Sequence, residues 1–216
     1  EPSADLRERQ RERLGRRLIP PVFELVEWLD APPDETWNGV LFANEVIDAL
    51  PTPRFTLRDG EVFEEGVALD GEGRFVRTDR PADALLSAAV RHVERYLDAP
   101  LPDGYRSELL PQLPYWIQAV MGGLDKGVML FADYGYPRRE FYQADRDDGT
   151  LRAYYRHRVH NDAYVWPGLQ DITASVDFTA LAEAGTNAGF DLAGYTTQAN
   201  FLLGNGLQER LEEAQA

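Results

Sequence analysis

An amide and two carboxylates follow directly on a short apolar run in the stretch LFANEVIDALP. Asn44 and Glu45 come straight after the run, and Asp48 follows three positions later. Carboxylates bind a guanidinium ion through paired hydrogen bonds, and an arginine side chain stays protonated at any cellular pH. At about 4 Å and an effective dielectric near 20, one such pair is worth roughly 4 kcal/mol before desolvation. The stretch predicts a site for a cationic group, with Glu45 as the first choice. The alternative is that Asn44 and Asp48 cap a helix beginning at Ala49 or satisfy loop amides.

A second apolar run, GVMLFA at residues 127–132, also ends in polar groups. It continues directly into Asp133, Tyr134 and Gly135. In open α/β sheets, ligands bind in the crevice beyond the carboxyl ends of the strands. We therefore expect Asp133 and Tyr134 to line the substrate side of a cleft, with Gly135 permitting close backbone approach. The alternative for Asp133 is a turn residue.

Composition limits the class of protein. The chain has 216 residues, 44% of them hydrophobic, which suits one domain or at most two. No apolar run is long enough to span a membrane, and the charged N-terminus does not read as a signal peptide, so the cytoplasm or an organelle interior is expected. The absence of cysteine excludes disulfides and thiolate metal sites, and the presence of only three histidines argues against a metal centre.

The formal charge of −15 argues against nucleic acid as a partner. It suits a cationic partner such as an arginine-bearing protein, although acidity of this size also serves solubility alone.

Local patterns predict an alternation of helices and strands. Helices are expected at residues 3–18, 84–97, 115–124 and 178–188, with a frayed helix after 207. Strands are expected at 23–28, 39–43, 54–57, 61–69, 74–77 and 127–132, and as a terminal antiparallel pair at 190–195 and 198–203. Asp59-Gly60 and Asp70-Gly71 are hairpin turn signals. We interpret residues 52–80 as a β-rich insertion and the weakly periodic, aromatic residues 137–175 as a lid or substrate-binding insertion.

Five segments, in this order, resemble the MidA family of S-adenosylmethionine-dependent methyltransferases: NEVIDALP, LFADYGYPRREFY, DGTLRAYYRHRVH, PGLQDITASVDFTAL and TTQANFLLGNG. The resemblance covers residues 1–207 and implies an α/β, Rossmann-like class I methyltransferase fold. Glu1 matches the acidic residue that holds the cofactor ribose in such folds. The glycine-rich turn that normally precedes it has no counterpart here. We therefore expect a fold that is incomplete at the N-terminus and a chain that is the C-terminal part of a single methyltransferase domain in a longer protein.

The resemblance also implies roles for individual residues. Glu45, Asp48 and Asn44 would be catalytic, and Glu1 and Asn44 would bind S-adenosylmethionine. The implied substrate-binding residues are Asp133, Tyr134, Gly135, His157, Asp171, Thr173, Asp177 and Gln198. For Asp171, Thr173, Asp177 and Gln198 the alternative is a hydrogen-bond network that fixes the lid. Other arginine methyltransferases place paired glutamates after the equivalent strand, whereas this chain has one glutamate there.

The implied reaction is methylation of an arginine on a protein. Because the family includes an assembly factor of mitochondrial complex I, a respiratory-complex subunit is one candidate partner, in a bacterial cytoplasm or a mitochondrial matrix. A homodimer stays open, and neither nucleic acid nor a membrane is expected as a partner. Two alternatives remain: a non-catalytic binding module on a methyltransferase scaffold, and a methyltransferase with a small-molecule acceptor.

Overall fold

Helices and short strands alternate along residues 3–215, the part of the chain that this computed structural model describes. The helices are α1 (Ala4–Arg17), α2 (Pro20–Phe23), α3 (Ala84–Glu94), α4 (Leu113–Met121), α5 (Arg138–Phe141), α6 (Phe178–Asn187), α7 (Gln198–Gly204) and α8 (Leu207–Gln215). The longer strands are β1 (Trp37–Asn44), β2 (Arg54–Arg58), β3 (Glu61–Leu69), β4 (Phe75–Pro81) and β6 (Leu124–Ala132). The short ones are β5 (Arg106–Glu108), β7 (Gly135–Tyr136), β8 (Arg152–Tyr155), β9 (Arg158–His160), β10 (Asp171–Thr173) and β11 (Val176–Asp177).

The two most apolar strands, β1 and β6, form a parallel pair. Their register places Asn44 opposite Ala132, so both strands end at the same level. One face packs on α4 and α6 through a buried cluster that includes Ile117 and Met121. The other face is exposed and carries Val40, Phe42 and Val128, so the two strands are not buried on both sides as the apolar runs predicted. The parallel pair sets two carboxyl ends side by side.

A separate antiparallel sheet has the strand order β4-β3-β2-β5 and packs against α3. Asp59 and Gly60 both adopt positive φ and close the β2–β3 hairpin at the predicted turn. The β3–β4 connection lies at the second predicted turn, where the Asp70 carboxylate accepts the amides of Glu72 and Arg74. Both hairpins are therefore confirmed.

Residues between the parallel pair and α6 form two further small sheets. One is antiparallel with the order β10-β8-β9, and the other is the parallel pair β11-β7. The β8–β9 hairpin turns through Arg156 and His157, which both have positive φ. The weak periodicity of residues 137–175 did not predict these strands.

Helix predictions with strong local signals are confirmed. Helix α1 begins directly after Ser3, whose hydroxyl accepts the Leu6 amide at 3.3 Å. Helices α3 and α6 begin after Asp83 and Asp177, and each carboxylate accepts amides of the first turn. Helix α4 is confirmed with its start two residues earlier than expected.

Two strand predictions are wrong. Residues 23–28 form no strand, because Pro20 and Pro21 start the single turn of α2 and the following residues pair with no strand in the described part of the chain. The expected terminal pair at 190–195 and 198–203 is also absent. Residues 190–195 are irregular, and Thr197 caps α7 by accepting the Asn200 amide at 3.3 Å.

Candidate active site

The carboxyl end of β1 turns sharply at Glu45. Its amide donates to the carbonyl oxygen of Ala132 at the end of β6, at 2.8 Å, and its own φ is +51°. Positive φ at a non-glycine residue costs free energy and is concentrated at ligand sites. The Glu45 side chain is exposed, and its negative charge and a hydrogen bond to it raise the pKa of Tyr134. Asn44, also exposed, precedes it at the same edge of the sheet.

Asp133, the residue after β6, holds the loop that follows β1. Its Oδ2 accepts the backbone amides of Val46, Ile47 and Asp48 at 3.2, 3.0 and 3.3 Å. Its Oδ1 accepts the amide of Tyr134 at 2.8 Å. Burial raises the pKa of Asp133, although these four amides act to lower it. The structure thus places Asp133 at the predicted strand end and uses both carboxylate oxygens to fix the backbone.

Asp48 is the buried carboxylate of the site. It is 7% exposed, and its Oδ1 has no hydrogen-bond partner among the described residues. Burial raises the pKa of Asp48 to about 6, and the negative charges of Asp133, Glu45 and Asp171 add to the rise. The backbone around Asp48 forms a turn, so Asp48 does not cap a helix beginning at Ala49.

The segment QDITASVD closes one side of the site. The Ala174 amide donates to the Asp48 carbonyl at 3.0 Å, and the Val176 amide donates to the Tyr134 carbonyl at 2.7 Å. Asp171 lies near enough to Asp48 to affect its pKa. Thr173, the other predicted residue of this segment, pairs with Arg152 on β8 and is half-buried.

Gly135 and Asp177 serve the fold of this region. A Cβ at Gly135 would lie 2.1 Å from the Val176 carbonyl oxygen, so the close approach here is to β11. The Asp177 carboxylate accepts the amides of Thr179 and Ala180 and pairs with Arg138 at 3.1 Å. The Asp177 side chain therefore caps α6 inside the protein.

A buried charge cluster surrounds that cap. Arg138 is 4% exposed and also contacts both carboxylate oxygens of Glu183, at 2.8 and 2.6 Å. Burial acts to lower the pKa of Arg138, but the hydrogen bonds to Glu183 and the charge of Asp177 leave it raised.

Three predicted residues lie elsewhere or outside the described part. His157 is exposed at the tip of the β8–β9 hairpin. Gln198 is the exposed first residue of α7, and within residues 3–215 no hydrogen bond joins its side chain to the strand-end residues. Glu1 lies outside the described residues. The structure therefore brings Asn44, Glu45, Asp48, Asp133, Tyr134 and Asp171 to one edge of the β1–β6 pair.

Sequence reasoning missed a buried ionic cluster at the antiparallel sheet. Arg54 is 9% exposed and pairs with Glu65, Glu108 and Asp148 at 3.1, 3.3 and 2.8 Å. The available signal was the charge pattern of residues 54–80, where arginines of β2 and β4 flank glutamates of β3. Beside this cluster lies a polar cleft of about 220 Å³, whose lining includes Arg77, Arg146, Arg152 and Asn161.

Within residues 3–215, no group of three or more His, Asp or Glu side chains is placed to hold a metal ion. None of the described helices is both long enough and apolar enough to cross a membrane.

The fold is that of a Rossmann-like class I methyltransferase. A family described as "Putative S-adenosyl-L-methionine-dependent methyltransferase" matches residues 1–196, and the chain belongs to this family. Curated relatives include the mitochondrial protein arginine methyltransferase NDUFAF7 of Danio rerio, 30% identical over 185 residues, which are 81% of this chain and 38% of that protein. The homologous protein of Drosophila melanogaster is also 30% identical over 185 residues, covering 81% of this chain and 39% of that one.

Solved structures give a stronger similarity. A Burkholderia thailandensis protein described as a "likely methyl transferase" and bound to S-adenosyl-homocysteine has a TM-score of 0.85 and 43% identity, over 98% of this chain and 53% of that one. A native crystal structure of an uncharacterized protein from the same organism gives a TM-score of 0.86 and 43% identity, over 99% and 55%. The chain thus spans about half the length of these solved relatives and less than half of the curated ones.

Proposed function

We propose that the protein containing this chain is an S-adenosylmethionine-dependent methyltransferase whose acceptor is an arginine nitrogen of a protein. The family, the relative bound to S-adenosyl-homocysteine and the relatives named as protein arginine methyltransferases support the reaction. The observation that carries the acceptor class is the carboxylate pair Glu45 and Asp48, one exposed and one buried, at the carboxyl edge of the parallel strands. The support for a mitochondrial location is that these curated relatives are named as mitochondrial proteins.

The donor set at this edge suits the cofactor. S-adenosylmethionine, when bound, supplies a methyl group on a positively charged sulfonium. Glu45, Asp133 and Asp171 give the edge a negative field, which favours a cation. The exposed amide of Asn44 offers both a donor and an acceptor to polar groups of the cofactor. Glu1, the proposed ribose ligand, lies outside the described residues.

Glu45 would orient the acceptor. Its carboxylate, held at a sharp turn, can accept two hydrogen bonds from one guanidinium, which fixes the plane of the ion and concentrates electron density on one nitrogen. The Tyr134 hydroxyl beside it narrows the position that the guanidinium can take. Alignment of the nitrogen with the methyl carbon then provides most of the rate acceleration.

Asp48 would take the proton. The acceptor nitrogen forms a bond to the methyl carbon, the carbon–sulfur bond breaks with its electron pair going to sulfur, and the nitrogen must lose one proton to remain a monocation. Asp48 is ionised above its pKa of about 6 and has a free carboxylate oxygen, so it can accept that proton and release it to water.

The test is methyl transfer by the full-length protein. The protein is incubated with isotopically labelled S-adenosylmethionine and arginine-containing peptides, and the modified residue is located by mass spectrometry. Label on arginine nitrogen supports the proposal. Label found only on small molecules or carboxylates would contradict an arginine acceptor and identify another one. Cofactor binding by calorimetry without any methyl transfer would favour the binding-module alternative.

A further inference from the structure

The β8–β9 hairpin is basic in a strongly acidic chain. Residues 151–160, LRAYYRHRVH, contain three arginines, two histidines and no acidic residue, whereas the whole chain has a formal charge of −15. Arg152, Arg156, His157 and Arg158 are all exposed. We refer to these four residues as the basic hairpin.

Among the described residues, the arginines of the basic hairpin have no acidic partner. Within residues 3–215, no carboxylate lies at ion-pair distance from Arg152, Arg156 or Arg158, although ion pairs engage many arginines elsewhere. The Arg152 guanidinium donates to the neighbouring Leu151 carbonyl at 2.9 Å, and that of Arg156 lies 5.3 Å from the centre of the Tyr155 ring. Arg156 and Arg158 are exposed and available to a partner, whereas Arg152 also lines the polar cleft that contains Asp145 and Asp147.

The basic hairpin lies next to the carboxylate site. Strand β8 pairs Tyr154 with Asp171, and Asp171 is near enough to raise the pKa of Asp48. Tyr154 itself affects the pKa of Tyr134. Arg152 lies on β8 two residues from Tyr154, roughly 7 Å along the strand, and Arg156 lies in the turn after β8. Arg152 is opposite Thr173, and the next residue, Ala174, donates its amide to the Asp48 carbonyl at 3.0 Å, so the hairpin borders the negative site through β10.

We propose that the basic hairpin docks acidic side chains of the acceptor protein that flank the target arginine. The proposal rests on the proposed arginine acceptor. An acceptor with a positive charge at Glu45 and a negative charge at the hairpin matches both fields in one orientation, which fixes the register of the chain in the site. At about 3.4 Å per extended residue, the acidic group lies roughly two to four positions from the arginine.

A polyphosphate fits this arrangement less well. It would carry negative charge along its whole length, past Glu45 and Asp171 and over a chain with a net charge of −15. The alternation of sign favours an acceptor that itself changes sign within a few residues.

The test compares two peptides with a central arginine, one with glutamate three positions away on either side and one with glutamine there. For the full-length protein we expect the glutamate peptide to have a lower KM, by about five- to tenfold, because partly exposed ion pairs each contribute up to about 1 kcal/mol. The double variant Arg156→Gln, Arg158→Gln should lose this preference through KM. The variant Arg156→Glu, Arg158→Glu should prefer a lysine-flanked peptide. The matched control Arg13→Gln, Arg17→Gln removes the same charge from exposed positions of α1 and should keep the preference.

Each outcome decides the proposal. Equal KM values for both peptides in the wild type overturn it while leaving arginine methylation intact. If no peptide is methylated, the proposed acceptor fails, but the anisotropy of a labelled glutamate peptide still reports binding. Binding that is lost in the hairpin variant and kept in the control supports docking. Unchanged binding in the hairpin variant overturns the docking proposal. Loss of binding to an oligonucleotide or to phosphatidylserine vesicles, with peptide binding unchanged, assigns the hairpin to another class of partner and overturns it.

Discussion

Glu45 and Asp48 are two carboxylates in different environments. Glu45 is exposed beside a tyrosine hydroxyl, whereas Asp48 is buried and has a pKa of about 6. Sites that divide work between two carboxylates do so by such differences in surroundings. An exposed anion suits binding of a cation, and a buried one with a pKa near neutrality suits proton transfer. The difference predicts that substitutions at the two positions have different kinetic effects.

We expect Glu45→Gln to slow methyl transfer by about a hundredfold, which corresponds to roughly 3 kcal/mol of transition-state stabilisation. Glutamine keeps the size and part of the hydrogen bonding but lacks the charge that orients the guanidinium. Cofactor affinity, melting temperature and single-turnover rate should be measured on the same preparations, with only the rate changed. A wild-type rate in this variant would make the carboxylate structural and favour the binding-module alternative.

Asp48 predicts a pH dependence of kcat/KM. The raised pKa means that Asp48 is protonated below about pH 6 and ionised above it. Because the ionised form is the one that accepts a proton, kcat/KM should rise with pH and level off above about pH 7. In Asp48→Asn the rate should be low at every pH and this acid limb should disappear. An identical limb in the variant would assign the titration to another group.

At the scale of elements, the position of Glu45 depends on a link between the ends of β1 and β6. Asp133 supplies that link, because one carboxylate accepts three amides of the loop after β1 and one amide after β6. Asp133 is 85 to 87 positions away in sequence from the three loop residues whose amides it accepts. The loop geometry is therefore fixed by a contact between elements rather than by local turn residues.

Asp133→Asn should loosen that loop. An amide has one acceptor oxygen, so the variant must leave either the three loop amides or the Tyr134 amide without an acceptor, at a cost of about 1 to 3 kcal/mol. We expect faster hydrogen exchange at residues 46–48 and a methyl-transfer rate about ten- to a hundredfold lower. Asp34→Asn, at an exposed position, is the charge-matched control. Wild-type exchange at residues 46–48 in Asp133→Asn would show that the clamp is dispensable.

Residues 138–173 should become protected from hydrogen exchange when cofactor and acceptor peptide are both bound. Within this range α5 is already buried through Arg138 and Phe141, so the gain is expected in the small β10-β8-β9 sheet. This sheet has few buried side chains and borders the site through Asp171 and Tyr154. Segments with little core packing gain most from contact with a ligand. The antiparallel sheet β4-β3-β2-β5 serves as an internal reference. Unchanged exchange across 138–173 would indicate a structural insertion instead of a lid.

Elements with local signals were predictable from sequence, and elements that depend on distant partners were not. Ser3 and Asp83 marked helix starts, and Asp59-Gly60 marked a hairpin, because capping and turn geometry involve residues a few positions apart. An isolated apolar run does not reveal whether a strand is available to pair with it, which is why the strands expected at 23–28 and 190–203 were wrong.

The same distinction applies to the candidate site. The sequence indicated that polar residues follow both strands. The structure adds the parallel pairing that brings Glu45 and Asp133 together. For Asp177, the sequence left open whether the side chain binds substrate or belongs to a hydrogen-bond network. Its ion-pair partner Arg138 lies 39 residues away, so local sequence could not decide between them. Long-range ion pairs leave little local signal.

At the scale of the whole molecule, this chain matches only part of the length of its relatives, and this bears on cofactor binding. The relative bound to S-adenosyl-homocysteine is matched over 53% of its length and carries further chain beyond the matched part. In residues 3–215 the face of β1 and β6 with Val40, Phe42 and Val128 is exposed, and apolar surface of this kind usually contacts other protein. We therefore expect other protein to cover this face of β1 and β6.

We expect residues 1–216, produced alone, to bind S-adenosylmethionine at least about a hundredfold more weakly than the full-length protein. The β1–β6 face would then be open to water, and the cofactor would lack the contacts that the rest of the full-length protein supplies. Calorimetry on both proteins measures the difference, and a hydrophobic dye should bind more strongly to the shorter one. Micromolar cofactor affinity in residues 1–216 would show that these residues suffice to bind the cofactor, and it would contradict the expected dependence on the rest of the protein.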